Sequence, residues 1–239
     1  MMNIAVIFAG GSGQRMQISD IPKQFIEVYG KPIIIYTLEI FDKHPEIDAI
    51  VISCISGWEG HLNDLVKQYG LKKVKRIVKG GDTGQMSIFN GLQAAKEVCK
   101  DKKSIVLIHD GVRPFINSDV VSNNIQSVKE HRSAITSSAV KETMLVVGEN
   151  GKITEVLDRS RVMVAKAPQS FWLNDIYEGH LKAQRDGIYG FIDSCTLMEH
   201  YGYPLFLIDG PYENIKITTP EDLFSMRAII DSKNHIGEK

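Results

Sequence analysis

The first chemically informative residues are glycines and cations near the start of the chain. Residues 3–16 read NIAVIFAGGSGQRM, a short apolar run of strand type that ends at a glycine-rich turn. Glycine lets backbone N–H groups approach an anion closely because it carries no Cβ. Arg15 lies within the turn and Lys23 follows it in PKQF, so two positive charges come to the same place. This chemistry suits a polyphosphate and indicates an enzyme that handles nucleotides.

The same residues exclude two better-known phosphate-binding loops. The ATPase loop requires G-x-x-x-x-G-K-[ST], which occurs nowhere in the chain. The dinucleotide loop requires G-x-G-x-x-G, and Met16 stands at the third glycine position after Gly11 and Gly13. The turn alone would be consistent with an ordinary connection between a strand and a helix. Arg15 together with Lys23 favours phosphate binding over that alternative.

A carboxylate at the end of another strand is a candidate ligand for a divalent cation. Asp110 follows the apolar run 104–109 in HDGVRPF, and Arg113 is close enough in sequence to fold over the same site. Magnesium prefers oxygen ligands and usually brings substrate phosphates with it. The alternative is an aspartate in a turn that pairs with an arginine. Asp193 is a second candidate for the metal, and its structural alternative is the N-cap of a helix over 194–201.

A second glycine-rich turn follows a further strand-like run. Residues 78–87 read VKGGDTGQMS, and their backbone groups with the Ser87 hydroxyl could contact a base edge or a ribose. A plain connection between strand and helix is the alternative. Lys216 alternates with the apolar Ile215 and Ile217, so it points away from their face, either to solvent or into a cleft.

Composition restricts the class of protein. The 239 residues are 43% hydrophobic and 24% charged, which is ordinary for a globular protein. With a net charge of −1, bulk electrostatics predict no affinity for nucleic acid or membranes. No apolar run reaches the length of a membrane span, and the first residues do not resemble a signal peptide. Three cysteines without metal-type spacing are expected to be reduced thiols, so we predict a cytoplasmic location.

Strand-like and helix-like runs alternate along the first half of the chain. Buried parallel strands are rich in Ile and Val, and such runs occur at 4–8, 49–54, 74–78 and 104–109. Amphipathic stretches such as 86–95 lie between them. The alternation predicts an α/β fold of right-handed βαβ units around a mostly parallel sheet. Ligands bind beyond the carboxyl ends of such strands, where both glycine turns and Asp110 would lie.

The alternation stops after about residue 134. Residues 137–165 read as β segments with a turn at 148–151, which is either extra sheet or an arm that embraces a second subunit. Helix returns over 173–183, and Thr219 is predicted to cap a last helix that has Pro220 in its first turn. Since no linker or repeat is visible, we predict one domain over 1–239 with an arm inserted at about 137–165.

Five segments taken together resemble one family, the sugar-alcohol-phosphate cytidylyltransferases. This family includes 2-C-methyl-D-erythritol 4-phosphate cytidylyltransferase and ribitol-5-phosphate cytidylyltransferase. The segments follow the family's order over nearly the whole chain: AGGSGQRM from Ala9, PKQF from Pro22, HDGVRP from His109, APQSF from Ala167 and NIKITTPEDL from Asn214. Each segment alone is weak evidence, whereas their combination is specific.

The resemblance implies a fold, an assembly and a reaction. The fold would be a Rossmann-like nucleotidyltransferase sheet, and two chains would form a homodimer through the protruding β-arm. The reaction would join CTP and a polyol phosphate to give a CDP-polyol and pyrophosphate, with Mg²⁺ or another divalent cation as cofactor. Neither nucleic acid nor a membrane would be a partner.

The resemblance also implies roles for individual residues at the nucleotide site. Arg15 and Lys23 would hold the triphosphate, with Lys216 near its α-phosphate. Asp110 would bind the metal, and Arg113 would support the nucleotide site. The remaining nucleotide-binding positions would be Ala9, Gly10, Gly11, Ser12, Gly13, Gly80, Gly81, Asp82 and Ser87.

On the acceptor side, the resemblance points to the arm. Thr143 and Arg159 match positions that contact the acceptor phosphate across the dimer, and Asp193 is assigned to the same substrate.

One position departs from the family pattern. The family's second glycine turn usually carries an arginine where this chain has Gly84, which changes the geometry expected for the cytidine pocket.

Smaller differences between two branches of the family predict the acceptor. The segments AGG at 9–11, KPII at 31–34 and HDGVRPF at 109–115 look more like the ribitol-phosphate branch. The methylerythritol-phosphate branch more often reads AAG and HDAARP. We therefore expect D-ribitol 5-phosphate as the acceptor, in teichoic-acid or capsule-type polymer synthesis.

Three alternatives to this expectation remain. The first is a 2-C-methyl-D-erythritol 4-phosphate cytidylyltransferase of isoprenoid precursor synthesis. The second is a non-catalytic nucleotide-binding subunit, which would be expected to lack the metal ligand or one of its cationic partners. The third is an NAD-linked dehydrogenase, against which Met16 at the third glycine position argues.

Overall fold

A computed structural model describes residues 1–11, 16, 21–100 and 102–236. The strands are β1 Met2–Ala9, β2 Glu27–Val28, β3 Lys31–Pro32, β4 Ala49–Cys54, β5 Val74–Lys79, β6 Ser104–Asp110, β7 Ser133–Ala139, β8 Leu145–Val147, β9 Ile153–Val156, β10 Met163–Trp172 and β11 Leu207–Asp209. The α-helices are α1 Ile33–Lys43, α2 Glu59–Gln68, α3 Gly84–Cys99, α4 Ser118–His131, α5 Leu173–Arg185, α6 Ser194–His200 and α7 Pro220–Ile236. Short 3₁₀ helices occur at Lys23–Phe25, Glu149–Gly151 and Arg159–Arg161.

A seven-stranded sheet organises the chain, in the order β11-β7-β10-β6-β1-β4-β5. Strands β4, β1 and β6 are parallel neighbours, and β5 extends them in parallel on one side. Strand β10 runs antiparallel between β6 and β7, and β11 pairs with β7 in parallel. The sheet is therefore mostly parallel, and the predicted α/β fold is confirmed.

The two faces of the sheet are covered by different helices. Alternate residues of β1 point to opposite sides, so Ala5 and Ile7 pack with α1, α2 and α4, whereas Ile4 and Val6 pack with α3, α5 and α6. Every residue of β4 and of β6 is buried. This explains why the central strands read as continuous apolar runs in the sequence.

The segment predicted as an arm forms a two-stranded hairpin outside the main sheet. Strands β8 and β9 pair in antiparallel fashion around the short 3₁₀ turn Glu149–Gly151, which lies where the sequence predicts a turn. All residues of both strands are exposed. The flanking strands β7 and β10 belong to the main sheet, so the hairpin projects from that sheet.

The three cysteines are free thiols in the structure. Cys54 and Cys99 are buried free thiols, and Cys195 is a half-buried one. Burial raises the pKa of Cys54 to about 12 and that of Cys195 to about 11, so both thiols stay protonated at neutral pH. None of the helices that the structure describes combines the length and the apolar character needed to cross a membrane.

Candidate active site

A cavity of about 840 Å³ lies beyond the carboxyl ends of β1, β5 and β6. Ten of the predicted site residues line it: Ala9, Gly10, Gly11, Lys23, Gly80, Gly81, Asp82, Ser87, Asp110 and Lys216. The parallel arrangement of the strands brings these residues to one edge, although up to 207 positions, from Ala9 to Lys216, separate them in sequence. This is the edge at which the sheet topology predicts a ligand.

An ion-paired carboxylate lies at the centre of the polar wall. Asp110 ends the buried strand β6, and its Oδ1 is 2.5 Å from Lys216 Nζ while its Oδ2 is 2.8 Å from Arg113 Nε. The Asp110 side chain is 7% exposed, whereas that of Lys216 is 41% exposed and faces the cavity. The two readings of Lys216, solvent or cleft, are thus resolved in favour of the cleft.

The two cations govern the protonation of this carboxylate. Burial by itself would raise the pKa of Asp110, but attraction by Lys216 and Arg113, with their hydrogen bonds, holds it below its ordinary value of 3.8. The neighbouring His109 is fully buried, and burial lowers its pKa to about 4. At neutral pH the site therefore holds an ionised aspartate and a neutral histidine.

Arg113 connects the carboxylate to the segment that carries Lys216. Its Nη1 donates a hydrogen bond of 2.9 Å to the backbone carbonyl of Asn214, and its own carbonyl is 3.0 Å from His109 Nε2. One guanidinium thus contacts both β6 and the segment 210–219. Arg113 supports the site from behind, because the cavity is lined by Asp110 and Lys216 rather than by Arg113.

The two glycine turns approach each other so closely that side chains would not fit. A Cβ on Gly10 would lie 2.6 Å from Ser87 Oγ, and a Cβ on Gly80 would lie 3.0 Å from the Cys54 carbonyl oxygen. The same Cβ on Gly80 would be 3.2 Å from Gly10 Cα. Glycine is required here for the contact between the backbones, which forms the floor of the cavity.

The hydroxyl of Ser87 has a different immediate role from the predicted contact with a base or ribose. Ser87 is 2% exposed; its Oγ accepts from Gly81 N at 3.1 Å and donates to the Thr83 carbonyl at 2.9 Å. These bonds close the second glycine turn on the first turn of α3. Thr83 caps that helix by accepting from Met86 N at 3.1 Å. A direct contact between Ser87 and a nucleotide stays a prediction.

The 3₁₀ helix that carries Lys23 is held against the end of β1. The buried Gln24 donates from Nε2 to the Ala9 carbonyl at 2.7 Å. Phe25 stacks on Trp58 with ring centroids 5.0 Å apart, and His61 contacts both rings edge-on. Lys23 is thereby presented to the cavity beside the first glycine turn.

Three of the predicted site residues, Asp193, Thr143 and Arg159, are not among the residues that line the cavity. Asp193 forms a capping box at the start of α6, accepting from Thr196 N at 2.8 Å, and it also accepts from Gln169 Nε2 at 2.9 Å. Its alternative reading as an N-cap is confirmed. Thr143 and Arg159 lie exposed in the arm, where Arg159 Nη1 donates to the Lys141 carbonyl at 3.0 Å. Their contact with an acceptor phosphate stays a prediction, as does that of Asp193.

The remaining predicted residues of the first turn, Ser12, Gly13 and Arg15, lie outside the described residues. Gly84, the departure from the family pattern, starts α3 at the cavity wall, and none of the residues that the structure describes lies within 4 Å of a Cβ added there. The position would therefore admit a larger side chain without displacing its described neighbours.

Sequence reasoning assigned no role to several residues that build the site. Lys79 and Thr218 line the cavity, and Gln24 and Asn214 hold its edges through backbone carbonyls. Lys79 could have been found, because it directly precedes Gly80 in the turn. The role of Asn214 could not, because its partner, the Ala167 carbonyl at 2.7 Å, lies 47 positions away.

The residues at the cavity wall could hold a divalent cation only if the substrate supplied the remaining ligands. Within the described ranges, no group of three His, Cys, Asp or Glu residues is placed to hold a metal ion. Asp110 supplies one carboxylate at the cavity wall. Magnesium is commonly held by one or two carboxylates plus substrate phosphates, so Asp110 suits an ion that arrives with a nucleotide.

Comparison with known proteins connects this geometry to a family. The family model described as IspD, 2-C-methyl-D-erythritol 4-phosphate cytidylyltransferase, matches residues 3–232. A ribitol-5-phosphate cytidylyltransferase of Streptococcus agalactiae serotype V is 53% identical over 235 residues, covering 98% of both chains. A 2-C-methyl-D-erythritol 4-phosphate cytidylyltransferase of Clostridium acetobutylicum is 38% identical, covering 98% of this chain and all of that one.

A solved structure agrees with the fold over almost the entire chain. The 4-diphosphocytidyl-2C-methyl-D-erythritol synthase of Anaerococcus prevotii superposes with a TM-score of 0.84 at 28% identity, and 96% of each chain is covered. The family match extends from β1 to α7, so it includes both glycine turns, Asp110 and Lys216. The chain therefore belongs to the 2-C-methyl-D-erythritol 4-phosphate cytidylyltransferase family of nucleotidyltransferases.

Proposed function

We propose that this protein transfers CMP from CTP to D-ribitol 5-phosphate, giving CDP-ribitol and pyrophosphate. CDP-ribitol of this origin would supply ribitol phosphate units for teichoic-acid or capsule-type polymers at the cell surface. The residues of the site support the transfer of a nucleotidyl group, and the degree of similarity to relatives supports the acceptor.

The single observation that carries the acceptor is the difference in identity between two relatives of equal coverage. The relative named for ribitol 5-phosphate shares 53% of its residues with this chain, and the relative named for methylerythritol phosphate shares 38%. The AGG and HDGVRPF segments favour the same acceptor.

The reaction requires two phosphate groups to approach each other. An oxygen of the acceptor phosphate attacks the α-phosphorus of CTP, a new P–O bond forms, and the bond from the α-phosphorus to the bridging oxygen of pyrophosphate breaks. Like charges oppose the approach, so catalysis depends on fixed cations and on alignment. Lys216 and Lys23 both line the cavity, as do Gly10 and Gly11, whose backbone N–H groups suit an anion.

An ion-pair network holds Lys216 in place. Asp110 Oδ1 pairs with the ammonium group of Lys216, while Arg113 pairs with Oδ2 of the same carboxylate. A magnesium ion bound by Asp110 and the nucleotide phosphates would neutralise further negative charge. We propose this metal dependence together with the reaction.

The assembly that we propose is a homodimer in the cytoplasm, joined through the arm. Exposed apolar side chains cover the hairpin: Leu145, Val146, Val147, Ile153 and Val156 are 41–62% exposed. An isolated two-stranded hairpin is marginally stable in water, so packing against a second chain would stabilise it. In such a dimer Thr143 and Arg159 would contribute to the acceptor site of the partner.

The test is release of pyrophosphate from CTP and Mg²⁺, with D-ribitol 5-phosphate and 2-C-methyl-D-erythritol 4-phosphate assayed in parallel. We expect release with ribitol phosphate and at most slow release with the other acceptor. Release with methylerythritol phosphate alone would keep the reaction but reject the proposed acceptor.

Two controls complete this experiment. Omitting Mg²⁺ and adding EDTA tests the metal, because a metal-independent rate would contradict the role given to Asp110. If neither acceptor supports release, titration of CTP separates an enzyme with another acceptor from a subunit that only binds nucleotide.

A further inference from the structure

The catalytic cation Lys216 lies on a segment without regular secondary structure. Residues 210–219 connect β11 to α7 and include neither a helix nor a strand. Contacts from other parts of the chain must therefore fix the position of Lys216, because no ladder of backbone hydrogen bonds does so. One such contact is the bond from Ile217 N to the Val112 carbonyl at 2.9 Å.

Arg113 makes a second such contact, with the Asn214 carbonyl, and Lys166 on β10 adds two more. Its Nζ donates to the carbonyl oxygens of Tyr212 at 2.8 Å and Pro211 at 3.3 Å. Asn214 donates in return to the carbonyl of Ala167, the residue after Lys166, at 2.7 Å. The strand and the segment are thus joined by hydrogen bonds in both directions, directly before Lys216.

An irregularity in β10 brings Lys166 to this place. The pairing with β7 shifts register between Ala165 and Gln169, so Lys166 lies outside the regular ladder. Such bulges bend a strand and redirect side chains, and they are frequent beside active sites. Lys166 is consequently 8% exposed, an unusual degree of burial for a lysine.

The charged surroundings of Lys166 do not explain its burial. Its hydrogen-bond partners in the described part of the chain are two backbone carbonyls, and none is a carboxylate. Burial lowers its pKa first, Arg113 and Lys141 lower it further, and Glu213 acts in the opposite direction. The two hydrogen bonds to carbonyls, with the contact of Nζ on the Tyr212 ring at 5.2 Å, offset this cost. Charge-assisted hydrogen bonds are roughly twice as strong as neutral ones.

We propose that Lys166 is a positioning residue, which fixes the Pro211 and Tyr212 carbonyls and thereby holds Lys216 at Asp110 and the phosphates. This inference rests on the proposed nucleotidyl transfer. Lys166 itself is absent from the cavity wall, so its effect on turnover passes through the segment. Its loss should lower kcat rather than raise the KM for CTP, because the glycine turns that bind the nucleotide lie elsewhere.

The first test compares Lys166→Met with the wild-type enzyme. Methionine has a similar length and removes both hydrogen bonds, and we expect kcat to fall about tenfold, since misplacement of a catalytic group by 1 Å can cost about a hundredfold. The KM for CTP should change less than about twofold. Lys166→Gln, which keeps a neutral donor, should lose less, and it carries the test if the methionine variant does not fold.

Lys73→Met is the matched control. Lys73 Nζ also donates to a backbone carbonyl, that of His44 at 2.5 Å, but it precedes β5 at the opposite edge of the sheet. Its replacement should leave kcat unchanged. A fall of kcat in both variants would indicate a general effect of removing such a bond and would overturn the proposal.

The decisive measurement is a double-mutant cycle with Lys216→Ala. If Lys166 acts by placing Lys216, Lys166→Met should cost less than about threefold in kcat when Lys216 is already absent. Full additivity of the two losses would overturn the proposal, as would a lower melting temperature with unchanged kcat. An inactive wild-type enzyme would instead reject the proposed function, so the two failures are distinguishable.

Discussion

The carboxyl edge of the sheet and the arm are built in opposite ways. At the sheet edge, strand ends bring charged groups into one cavity, and the Asp110 carboxylate is 7% exposed between two cations. In the arm, every residue of β8 and β9 is exposed, and the two strands pair with each other alone among the described strands. The charged groups of the first region pair within one chain, whereas in the described part of the chain the apolar side chains of the second region remain exposed.

This difference separates two sources of stability. The carboxyl edge of the sheet depends on ionised groups that pair with one another, so single substitutions there should have large and specific effects. The arm depends on apolar surface that a single chain leaves in water. Substitutions in the arm should therefore act through association.

The largest effect is expected at the cations of the cavity. Lys216→Ala and Lys23→Ala should each lower turnover by about 10²–10³-fold while the chain folds normally, because each removes charge that stabilises the transition state. Steady-state pyrophosphate release measures the loss, and circular dichroism checks the fold. Near-full activity in both variants would remove the basis for assigning the cavity to phosphates.

The next effect concerns pH, to which the sheet edge should be sensitive. His109 has a pKa of about 4 in the folded protein against 6.5 ordinarily, because burial disfavours its charged form. Its contribution to the free energy of unfolding is complete above pH 6.5. This contribution is lost as pH falls toward 4, because over that range the unfolded chain binds a proton at His109 that the folded chain does not. The loss is on the order of 3 kcal/mol.

The variant His109→Asn tests this prediction, because asparagine cannot titrate in this range. Urea unfolding between pH 7 and pH 4 should show a flatter dependence for the variant than for the wild-type protein. His180, whose pKa burial also lowers to about 4, titrates in both proteins and cancels in the comparison. Equal slopes would mean that His109 is not held neutral by the fold.

A smaller effect is expected in the arm, and it should depend on protein concentration. Val156→Lys places a charge on a 62% exposed valine that the proposed dimer would bury. Burial of a valine contributes about 1.5–3 kcal/mol, so the dissociation constant should rise about ten- to a hundredfold. Sedimentation velocity over a dilution series measures it. Glu149→Lys in the turn of the hairpin is the control, and a monomeric wild-type chain at micromolar concentration would refute the dimer.

The fold follows from the sequence wherever local patterns decide it. Runs of Ile and Val correctly marked β1, β4, β5 and β6, and the residues directly after them proved to line one cavity. The hairpin turn at 148–151 was also visible, because its glycine and asparagine are typical of tight turns. These features can be predicted because they depend only on residues that are close together in the sequence.

Features that depend on distant residues could not be predicted. Strand β10 lies antiparallel between β6 and β7, and no local sequence pattern predicts this strand order. Ser87 was correctly placed at the cavity, but its hydroxyl turns to the Thr83 carbonyl one helical turn back. No local pattern marks Lys166 as buried, because it lies at a register shift in β10 that the sequence does not reveal.

The smallest effects distinguish two glycines in the same turn. A Cβ on Gly81 would lie 2.9 Å from the Met86 backbone carbonyl carbon, whereas no atom of the described residues lies within 4 Å of a Cβ on Gly84. Gly81→Ala should therefore lower the free energy of unfolding by about 1–3 kcal/mol, since the backbone must shift. Gly84→Ala should raise it by about 0.4–1 kcal/mol, because alanine restricts the unfolded chain and suits the first turn of α3. Urea unfolding of both variants measures these changes in the free energy of unfolding. Changes of the same sign would show that the turn is not packed as described. Changes of opposite sign would show that the close approach needs glycine at Gly81 but not at Gly84.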